Sequence, residues 1–442
     1  MQWKNLIKGI AFIAVFLILF SVVSTVLVSS GDSWNYQRIA GFYAEPDDTL
    51  DAVYVSSSTG YAYWNPLFAW EKYGIAVYSF CCNSQHFLTT EYLIRDMRKT
   101  QPEALYIVNT NAIHDERLYV EAIHHLVDDL PLTVNKLRII DRLTKAADLP
   151  WEEALELYVP LYRYHDRWSK LESDDFRFRV DGMKGARTHP LYLQSIVGVA
   201  DTYRISDERA PLAAHNFDAA NSLMDYCEEE NVKILFVTVP RAEDENRLKE
   251  INELNAMIEA RGFRVLNLLE NPEAIKLDLT QDFYDAGHTN VHGSLKYTQY
   301  LSEYLMEHYG FERKHGDKTY ASWDAGYEKY QATLDRYILD IERDLAHRTS
   351  ALEKPENLTV FASGTQVGIS WDAVEGAEGY AVYRKQDGKC WERLETVDGQ
   401  SCTDATAQAG MTYVYRVVPF MTEQDQIFYG KFDYAGAVIQ IP

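Results

Sequence analysis

The stretch DAVYVSSST, residues 51–59, joins a short apolar β-rich run to a cluster of small hydroxyl residues. The apolar run is typical of a strand buried on both faces of a parallel sheet. In open α/β sheets, ligands bind beyond the carboxyl ends of the strands, which is where the hydroxyl cluster falls. A helical segment follows at residues 64–73, so the sequence predicts a strand, a loop and a helix in this order.

Further apolar runs repeat this pattern along the chain, at residues 75–80, 103–109, 232–240 and 264–269. Helical segments alternate with these runs. Alternation of this kind predicts an α/β domain of three layers, with a parallel sheet and crossover helices. We assign residues 31–320 to this domain.

A long segment at residues 112–215 interrupts the alternation with helical and irregular sequence. It leaves the sheet at the edge where ligands bind, so we interpret it as a helical insertion that covers this edge and shapes specificity. The alternative is a helical cap that only packs against the domain.

The N-terminal segment contains an uncharged apolar run, GIAFIAVFLILFSVVSTVLV, at residues 9–28. A helix of about 20 apolar residues matches the roughly 30 Å hydrocarbon core of a bilayer. Lys4 and Lys8 precede the run and Asp32 follows it. The positive-inside rule therefore predicts that residues 1–30 form a cytoplasmic N-terminus and a single-pass anchor, with the later domains outside the cell membrane. The alternative is a cleaved signal peptide, for which VSSGDS offers only a weak cleavage site.

The C-terminal part differs from the rest of the chain in the pattern of its residues. Residues 321–354 are charged with helical spacing and predict a linker helix, whereas residues 355–442 contain short alternating runs separated by turn residues, as in a β-sandwich. Pro355, Trp371, the run GAEGYAVYRK and the run TYVYRVVPF resemble a fibronectin type III domain. Such modules serve as spacers or binding units, so we expect no catalysis here.

The charge and the cysteines exclude several classes of protein. With 66 acidic and 43 basic side chains, the chain has a formal charge of −23, so a nucleic acid is not an expected partner. The cysteines show no metal-binding spacing, and we expect neither a metal nor another cofactor. Cys390 and Cys402 could pair in an oxidising compartment, depending on the strand geometry.

Two segments at opposite ends of the α/β domain carry the candidate chemistry. The hydroxyl cluster at residues 56–59 ends the first strand, and DFYDAGHTNVHG at residues 282–293 contains Asp285 and His288. A serine hydroxyl needs a base to accept its proton, and an imidazole oriented by a carboxylate is the common solution. Taken singly, each residue also has a structural interpretation. Ser58 could simply end a strand, Asp285 could cap a helix, and His288 could be the hydrogen-bond partner of Asp285. His292 invites a metal interpretation with Asp285, but a third ligand is lacking.

This layout resembles the SGNH/GDSL hydrolases, in which a serine follows the first strand and a late D-x-x-H supplies the other two triad members. The block V-S-S-S-T at residues 55–59 is similar to the LGSSH variant of the first family block. The resemblance implies that Ser58 is the nucleophile, His288 the base and Asp285 its orienting carboxylate. The closing block also has the family's H-x-N and G-x-x-K, and the resemblance covers roughly residues 50 to 310.

The sequence departs from the family pattern in two blocks. Ser56 stands where the first block has glycine, and Thr59 where histidine is common. In the second block the oxyanion glycine is replaced within CCNSQ, which leaves Asn83 or Ser84 as candidates. In the third block, IVNTN offers two further candidate oxyanion donors. These are Asn109 and Asn111.

The resemblance implies an extracytoplasmic serine esterase or O-acyltransferase. An anchor joined to such a domain is similar in architecture to the D protein of teichoic acid D-alanylation and to bacterial polysaccharide acetyltransferases. The expected substrate is an acyl ester, with acetyl as the expected group, on a cell-envelope or extracellular polysaccharide or a teichoic-acid-like polymer. The alternatives are a catalytically silent surface protein that binds glycan or an envelope partner, and a structural component of an envelope assembly.

Overall fold

The computed structural model describes most of the chain. The described residues are 2–28, 34–113, 118–176, 180, 182–185, 187, 203–279, 281–348, 352–386, 391–423, 426–433 and 435–442. They form an N-terminal apolar helix, an α/β unit built on a parallel sheet, and a C-terminal pair of antiparallel sheets.

The N-terminal helix α1 runs from Gln2 to Val28, and α2 (Trp34–Tyr43) follows it. The part Asn5–Val28 is long and apolar enough to cross a membrane. Its side chains at residues 9–19 are exposed. A signal sequence near an N-terminus has the same length and composition, so the helix alone does not distinguish an anchor from a signal peptide.

The α/β unit is organised on a sheet of five parallel strands among the described residues, in the order β2-β1-β3-β4-β5. This confirms the parallel sheet that the apolar runs predict. Every residue of the first four strands is buried, which explains why these runs lack alternation. The strands are β1 (Ala52–Ser56), β2 (Val77–Cys81), β3 (Leu105–Asn109), β4 (Ile234–Thr238) and β5 (Val265–Asn267).

Helices surround this sheet, and a short hairpin lies between two of them. The helices are α3 (Ser58–Tyr63), α4 (Pro66–Tyr73), α5 (Thr90–Met97), α6 (Val120–Val127), α7 (Val134–Ala146), α8 (Trp151–Tyr158), α9 (Pro160–Tyr164), α10 (Ala214–Glu229), α11 (Glu245–Ala260), α12 (Val291–Tyr309) and α13 (Ala321–Arg348). The hairpin is formed by β6 (Phe283–Asp285) and β7 (His288–Thr289).

The loop predicted directly after β1 is wrong, because the structure has the helix α3 there. The segment STGYAY contains a glycine and a β-branched residue and is only six residues long, so its local helix propensity is weak. Packing supplies the stability instead, since five of the six residues are buried. A Cβ at Gly60 would lie 2.4 Å from Ser56 Cβ, so glycine allows α3 to approach β1 closely.

The described part of the insertion contains α6, α7, α8 and α9, while residues 114–117, 177–179, 181, 186 and 188–202 lie outside the described residues. Near its end the insertion runs along β2, where the Ser79 N–H donates to the Lys184 carbonyl at 3.0 Å. The buried Lys184 ammonium pairs with Glu45 at 2.6 Å. The insertion is thereby attached to the edge of the sheet.

The helix α13, at the position of the predicted linker helix, packs on the α/β unit. Trp323 is buried, and its indole N–H donates to Glu45 at 2.9 Å. The carboxylate of Glu45 therefore joins α13 to Lys184 of the insertion.

The C-terminal residues form two antiparallel sheets that share one core. One sheet has the order β11-β10-β13-β14 with β15 beside β13, and the other has the order β12-β9-β8. Trp371 and Tyr380 pack edge to face at the centre of this core, at 5.3 Å between ring centroids. The possible pairing of Cys390 with Cys402 lies outside the described residues, because Cys390 is not among them. The strands are β8 (Thr359–Ser363), β9 (Gln366–Ser370), β10 (Gly379–Gln386), β11 (Trp391–Val397), β12 (Ser401–Asp404), β13 (Thr412–Glu423), β14 (Gln426–Tyr429) and β15 (Ala437–Gln440).

Candidate active site

Ser58 is held at the carboxyl end of the central strand β1. The strand ends at Ser56, Ser57 keeps an extended backbone, and Ser58 is the first residue of α3. The strand order places β1 between β2 and β3, so Ser58 lies at the edge of the sheet where the loops after these strands also meet.

Asp285 and His288 face each other across the β6–β7 hairpin, whose turn is Ala286–Gly287. His288 Nδ1 lies 2.8 Å from Asp285 Oδ1 and 2.9 Å from Oδ2. The Gly287 N–H also donates to Asp285 Oδ1, at 2.8 Å, and this bond fixes the carboxylate within the turn. The hairpin thus orients the imidazole of His288 through the carboxylate of Asp285.

The other nitrogen of the imidazole faces the serine. His288 Nε2 lies 2.7 Å from Ser58 Oγ, although the two residues are 230 positions apart in the chain. With Nδ1 bonded to a carboxylate, the proton sits on Nδ1 and Nε2 can accept the serine proton. The structure therefore brings together the three residues that the sequence pattern selected.

The first turns of α12 attach this hairpin to α3. Ser294 Oγ donates to the Tyr63 carbonyl at 3.2 Å, and the Asn65 N–H donates to Thr298 Oγ1 at 2.9 Å. Gly293 lies so close to the backbone that a Cβ there would be 2.3 Å from the Asp282 carbonyl oxygen. These contacts fix the position of α12, and hence of the hairpin, relative to Ser58.

Ser58 opens into a cavity of about 350 Å³. The described lining residues include the triad members, Asn83 and Ser84, together with several that the sequence patterns did not select. Its lining consists of Ser57, Ser58, Tyr61, Asn83, Ser84, Gln85, His86, Ala112, His125, Arg241, Arg247, Tyr284, Asp285 and His288.

The structure places two of the four candidate oxyanion donors in the lining of the cavity and two outside it. Asn83 and Ser84 line the cavity. Asn109 and Asn111 are buried away from this lining, and the Asn111 N–H donates to Asn109 Oδ1 at 2.7 Å. Asn111 also accepts from the Val239 N–H at 2.8 Å, so its side chain joins the loops after β3 and β4.

The loop that contains Asn83 and Ser84 has a backbone and a side-chain feature suited to a binding site. Ser84 has φ +54°, in the left-handed region that glycine adopts most readily. Asn83 Oδ1 accepts from the Tyr61 hydroxyl at 2.6 Å, which leaves the two amide hydrogens of Asn83 available for another acceptor. Burial raises the pKa of Tyr61, so this hydroxyl stays protonated as a donor.

Two arginines of the cavity come from the segment after β4, Arg241 from the loop and Arg247 from the first turn of α11. Arg241 donates to Thr59 Oγ1 at 2.9 Å and lies 2.9 Å from Glu243 Oε1. Arg247 also contacts Glu243, at 3.1 Å, and both arginines line the cavity. Sequence patterns missed these residues, although their position after a core strand, at the same edge as Ser58, was the available signal. The buried carboxylate of Glu243 thus holds both arginines in place and offsets part of their positive charge.

Two titratable residues, the buried Asp282 and the half-buried His292, flank the triad hairpin. Burial raises the pKa of Asp282 to about 6, although Lys296 lies 2.6 Å from its carboxylate and opposes the shift. Burial lowers the pKa of His292, in the first turn of α12, so its imidazole is biased toward the neutral form. Among the described residues, no group of three or more His, Cys, Asp or Glu side chains is arranged to hold a metal ion.

Comparison with known proteins gives matches to solved structures only. No protein-family model matches the sequence, and no curated protein matches it. A fibronectin type III-like protein from Clostridium thermocellum is 24% identical, with a TM-score of 0.17, over 21% of this chain and 96% of that chain. A human fibronectin type III domain is 15% identical, with a TM-score of 0.17, over 22% of this chain and 78% of that chain. These neighbours cover about a fifth of the chain, and TM-scores this low carry no argument about the rest.

Proposed function

We propose that the chain is a membrane-anchored, extracytoplasmic serine esterase or O-acyltransferase of the SGNH/GDSL type. The observation that carries the proposal is the relay from Asp285 through His288 to Ser58, with 2.7 Å between His288 Nε2 and Ser58 Oγ. An imidazole bonded on one side to a carboxylate and on the other to a serine hydroxyl is the arrangement that activates serine as a nucleophile.

In the proposed reaction, Ser58 Oγ attacks the ester carbonyl carbon and its proton passes to His288 Nε2. Asp285 holds the Nδ1–H and stabilises the imidazolium that forms. When the tetrahedral intermediate collapses, the leaving alkoxide takes the proton from His288, and the acyl group remains on Ser58. Water or a sugar hydroxyl then gives its proton to His288 and attacks the carbonyl carbon of the acyl-enzyme. When this second intermediate collapses, the bond from the acyl group to Ser58 Oγ breaks, Ser58 Oγ takes the proton back from His288, and the acyl group leaves on the acceptor.

The negative oxygen of the intermediate needs hydrogen-bond donors in a preorganised position. The candidates that line the cavity are the Asn83 amide and the backbone N–H groups near Ser58 and Ser84. The left-handed backbone at Ser84 supports this role. Glycine adopts this conformation most readily, and Ser84 adopts it here in the block where the family pattern has its oxyanion glycine. Asn109 and Asn111 drop out of the proposal, since their side chains bind the loops beneath the cavity.

The proposed substrate is an acyl ester, with acetyl as the expected group, on a cell-envelope or extracellular polysaccharide. The cavity of about 350 Å³ accommodates a small acyl group and part of a sugar. Arg241 and Arg247 line the same cavity and can donate hydrogen bonds to the oxygens of a sugar. The apolar helix α1 is long enough to cross a membrane, and the proposal takes it as an uncleaved anchor with the catalytic unit outside the cell membrane, the orientation given by the positive-inside rule.

The test is covalent labelling of the purified full chain with a fluorophosphonate probe. We expect the unchanged protein and Ser57→Ala to be labelled, and Ser58→Ala and His288→Ala to lose labelling. Ser57 is the matched control, because it is the neighbouring serine and lines the same cavity. If the folded unchanged chain is never labelled, the proposal is wrong, and the chain is better described as a glycan-binding or partner-binding surface protein.

If labelling succeeds, hydrolysis and transfer are distinguished by acetyl release from an acetylated polysaccharide. Acetate alone indicates an esterase. Movement of isotope-labelled acetyl to an added glycan acceptor, lost in Ser58→Ala, indicates a transferase.

A further inference from the structure

A groove of about 340 Å³ lies between the last turns of α1 and the helical insertion, separate from the cavity of Ser58. On the side of α1 it is lined by Phe20, Ser21, Ser24, Thr25 and Val28. The insertion contributes apolar side chains together with the charged Asp128, Asp129 and Lys136, and α2 contributes a third side. The apolar residues of the insertion are Leu130, Leu132, Leu137, Ile140 and Pro160.

The contacts between α1 and the insertion extend along the helix. Phe20 and Val28 are separated by about 12 Å at the rise of an α-helix. α1 contacts α9 and the 3-10 turn His165–Ser169, and the Arg167 guanidinium in that turn donates to the carbonyl oxygens of Leu27 and Val28. The insertion therefore packs beside the last third of the apolar helix.

The length of α1 limits where the bilayer can lie. If the insertion stayed wholly outside the hydrocarbon, only residues 9–19 would remain to cross it, and these span about 16 Å. A bilayer core is roughly 30 Å thick, so such a segment covers about half of it. The full apolar run at residues 9–28 covers the core, but residues 20–28, with the parts of the insertion that touch them, then lie at the depth of the outer leaflet.

The surface of the insertion combines apolar and aromatic side chains with charged ones such as Arg138, Asp141 and Lys145, a mixture that suits the interfacial region of a bilayer. Most of the large apolar side chains that are exposed outside α1, among the described residues, belong to the insertion. Val134 and Leu137 lie on one face of α7, beside the groove. Exposed tryptophans and tyrosines accompany them, as is typical of surfaces at a membrane interface. The exposed apolar and aromatic residues of the insertion include Leu132, Val134, Leu137, Trp151, Tyr158, Val159, Tyr162, Trp168 and Phe176.

We propose that the helical insertion lies in the interfacial region of the outer leaflet beside α1, with its exposed apolar and aromatic side chains in contact with lipid. The inference rests on the proposed membrane anchor and adds a second membrane contact to it.

This placement also determines how far the candidate active site lies from the membrane. His125 lines the cavity of Ser58, and Asp128, about one helical turn later at the end of α6, lines the groove. The cavity therefore lies at the membrane surface, within reach of an acyl ester on a polymer or donor that is itself bound to the membrane.

The test uses spin labels on the full chain in phospholipid nanodiscs. Val134→Cys and Val438→Cys form a matched pair, because the two valines are 66% and 63% exposed and Val438 lies in the C-terminal β-sandwich. Val15→Cys, at a position 55% exposed on α1, reports whether α1 crosses the bilayer. Leu132→Cys gives a second position beside the groove. The unsubstituted chain, treated in parallel, gives the background from native cysteines.

The measurement is the ratio of collision rates with oxygen, which partitions into lipid, and with a water-soluble nickel chelate. We expect a ratio several-fold higher at Val134, Leu132 and Val15 than at Val438. If Val15 is in lipid while Val134 and Leu132 match Val438, the inference is wrong and the anchor stands. If Val15 also matches Val438, the anchor is wrong and the inference fails with it.

Discussion

The hydroxyl of Thr289 donates a hydrogen bond to the backbone carbonyl of Ala62 at 2.7 Å, although the two residues are 227 positions apart in the chain. Thr289 directly follows His288 on β7, and Ala62 lies in α3, which begins with Ser58. Both residues are buried. The bond is therefore a direct connection between the element that carries the base and the element that carries the nucleophile.

Replacing the hydroxyl of Thr289 should disturb the position of His288 relative to Ser58 without removing any of the three triad residues. Thr289→Val keeps the shape of the side chain but leaves the Ala62 carbonyl without its donor, which costs about 1–3 kcal/mol. We expect fluorophosphonate labelling of Ser58 to slow by roughly tenfold or more, because small displacements of reacting groups are costly. Thr110→Val is the control, since it removes a similar buried hydroxyl bond, to Thr238 at 2.6 Å, outside the cavity lining. Equal labelling rates in the two variants would contradict a positioning role for Thr289.

The carboxylate of Asp285 should be needed for the orientation and charge of His288. In Asp285→Asn the amide can still occupy the turn, but it no longer fixes the tautomer with Nε2 facing Ser58 Oγ. We expect the labelling rate to fall by about 10⁴-fold, as when a triad carboxylate is neutralised, with little change in the melting temperature. A variant labelled at the unchanged rate would remove Asp285 from the proposed mechanism. Circular dichroism of the same sample checks that the variant is folded.

The close approach of α3 to β1 should make Gly60 intolerant of a side chain. The added methyl group of Gly60→Ala would meet Ser56 Cβ at 2.4 Å and Cys81 Sγ at 2.6 Å. We expect a loss of about 1–3 kcal/mol in stability, seen as a lower melting temperature, together with slower labelling of Ser58. Gly399→Ala is the control, because no atom lies within 4 Å of its added methyl group. A Gly60→Ala protein as stable and reactive as this control would show that α3 is not constrained in this way.

The buried carboxyl of Asp282 should make stability depend on pH. Because burial raises its pKa to about 6 in the folded chain, the folded state holds the proton more tightly than the unfolded state does. The stabilisation from this group is therefore complete below the unfolded pKa of about 3.9 and is lost as the pH rises through about 6. In Asp282→Asn the side chain has no charge to bury, so this pH dependence is absent.

We expect the melting temperature of Asp282→Asn, relative to the unchanged chain, to rise as the pH increases from 4 to 7. The measurement is a series of thermal scans of both proteins at matched ionic strength. Asp244→Asn, at an exposed helix cap, is the control for the loss of one charge. A difference in melting temperature that does not change with pH would mean that Asp282 is not the group responsible.

The sequence was sufficient to predict the parallel sheet and the pairing of Asp285 with His288. Strands buried on both faces must be apolar throughout, so β1, β2, β3 and β4 appear directly as apolar runs. Asp285 and His288 are three residues apart, and a hairpin with a two-residue turn brings such positions face to face. These features depend on local sequence, which is why patterns reveal them.

Other features of the site were decided by contacts between distant segments. The helix α3 was missed because its stability comes from burial against β1 and β2 rather than from helix propensity. Arg241 and Arg247 reach the cavity because the loop after β4 and the first turn of α11 lie at the same edge of the sheet as the end of β1. Residues of similar type can also differ in role, since Asn83 lines the cavity whereas Asn111 ties two loops together.

The sequence by itself thus determined which segments are strands, which helix is apolar enough to cross a membrane, and which residues could form a catalytic relay. Only the tertiary structure decided that Ser58 and His288 lie 2.7 Å apart, and which other side chains share their cavity. The physical reason is that burial and local hydrogen bonding select residue types in regular patterns along the sequence. The meeting of residues 230 positions apart depends on strand order, close packing at Gly60 and the bond from Thr289 to Ala62.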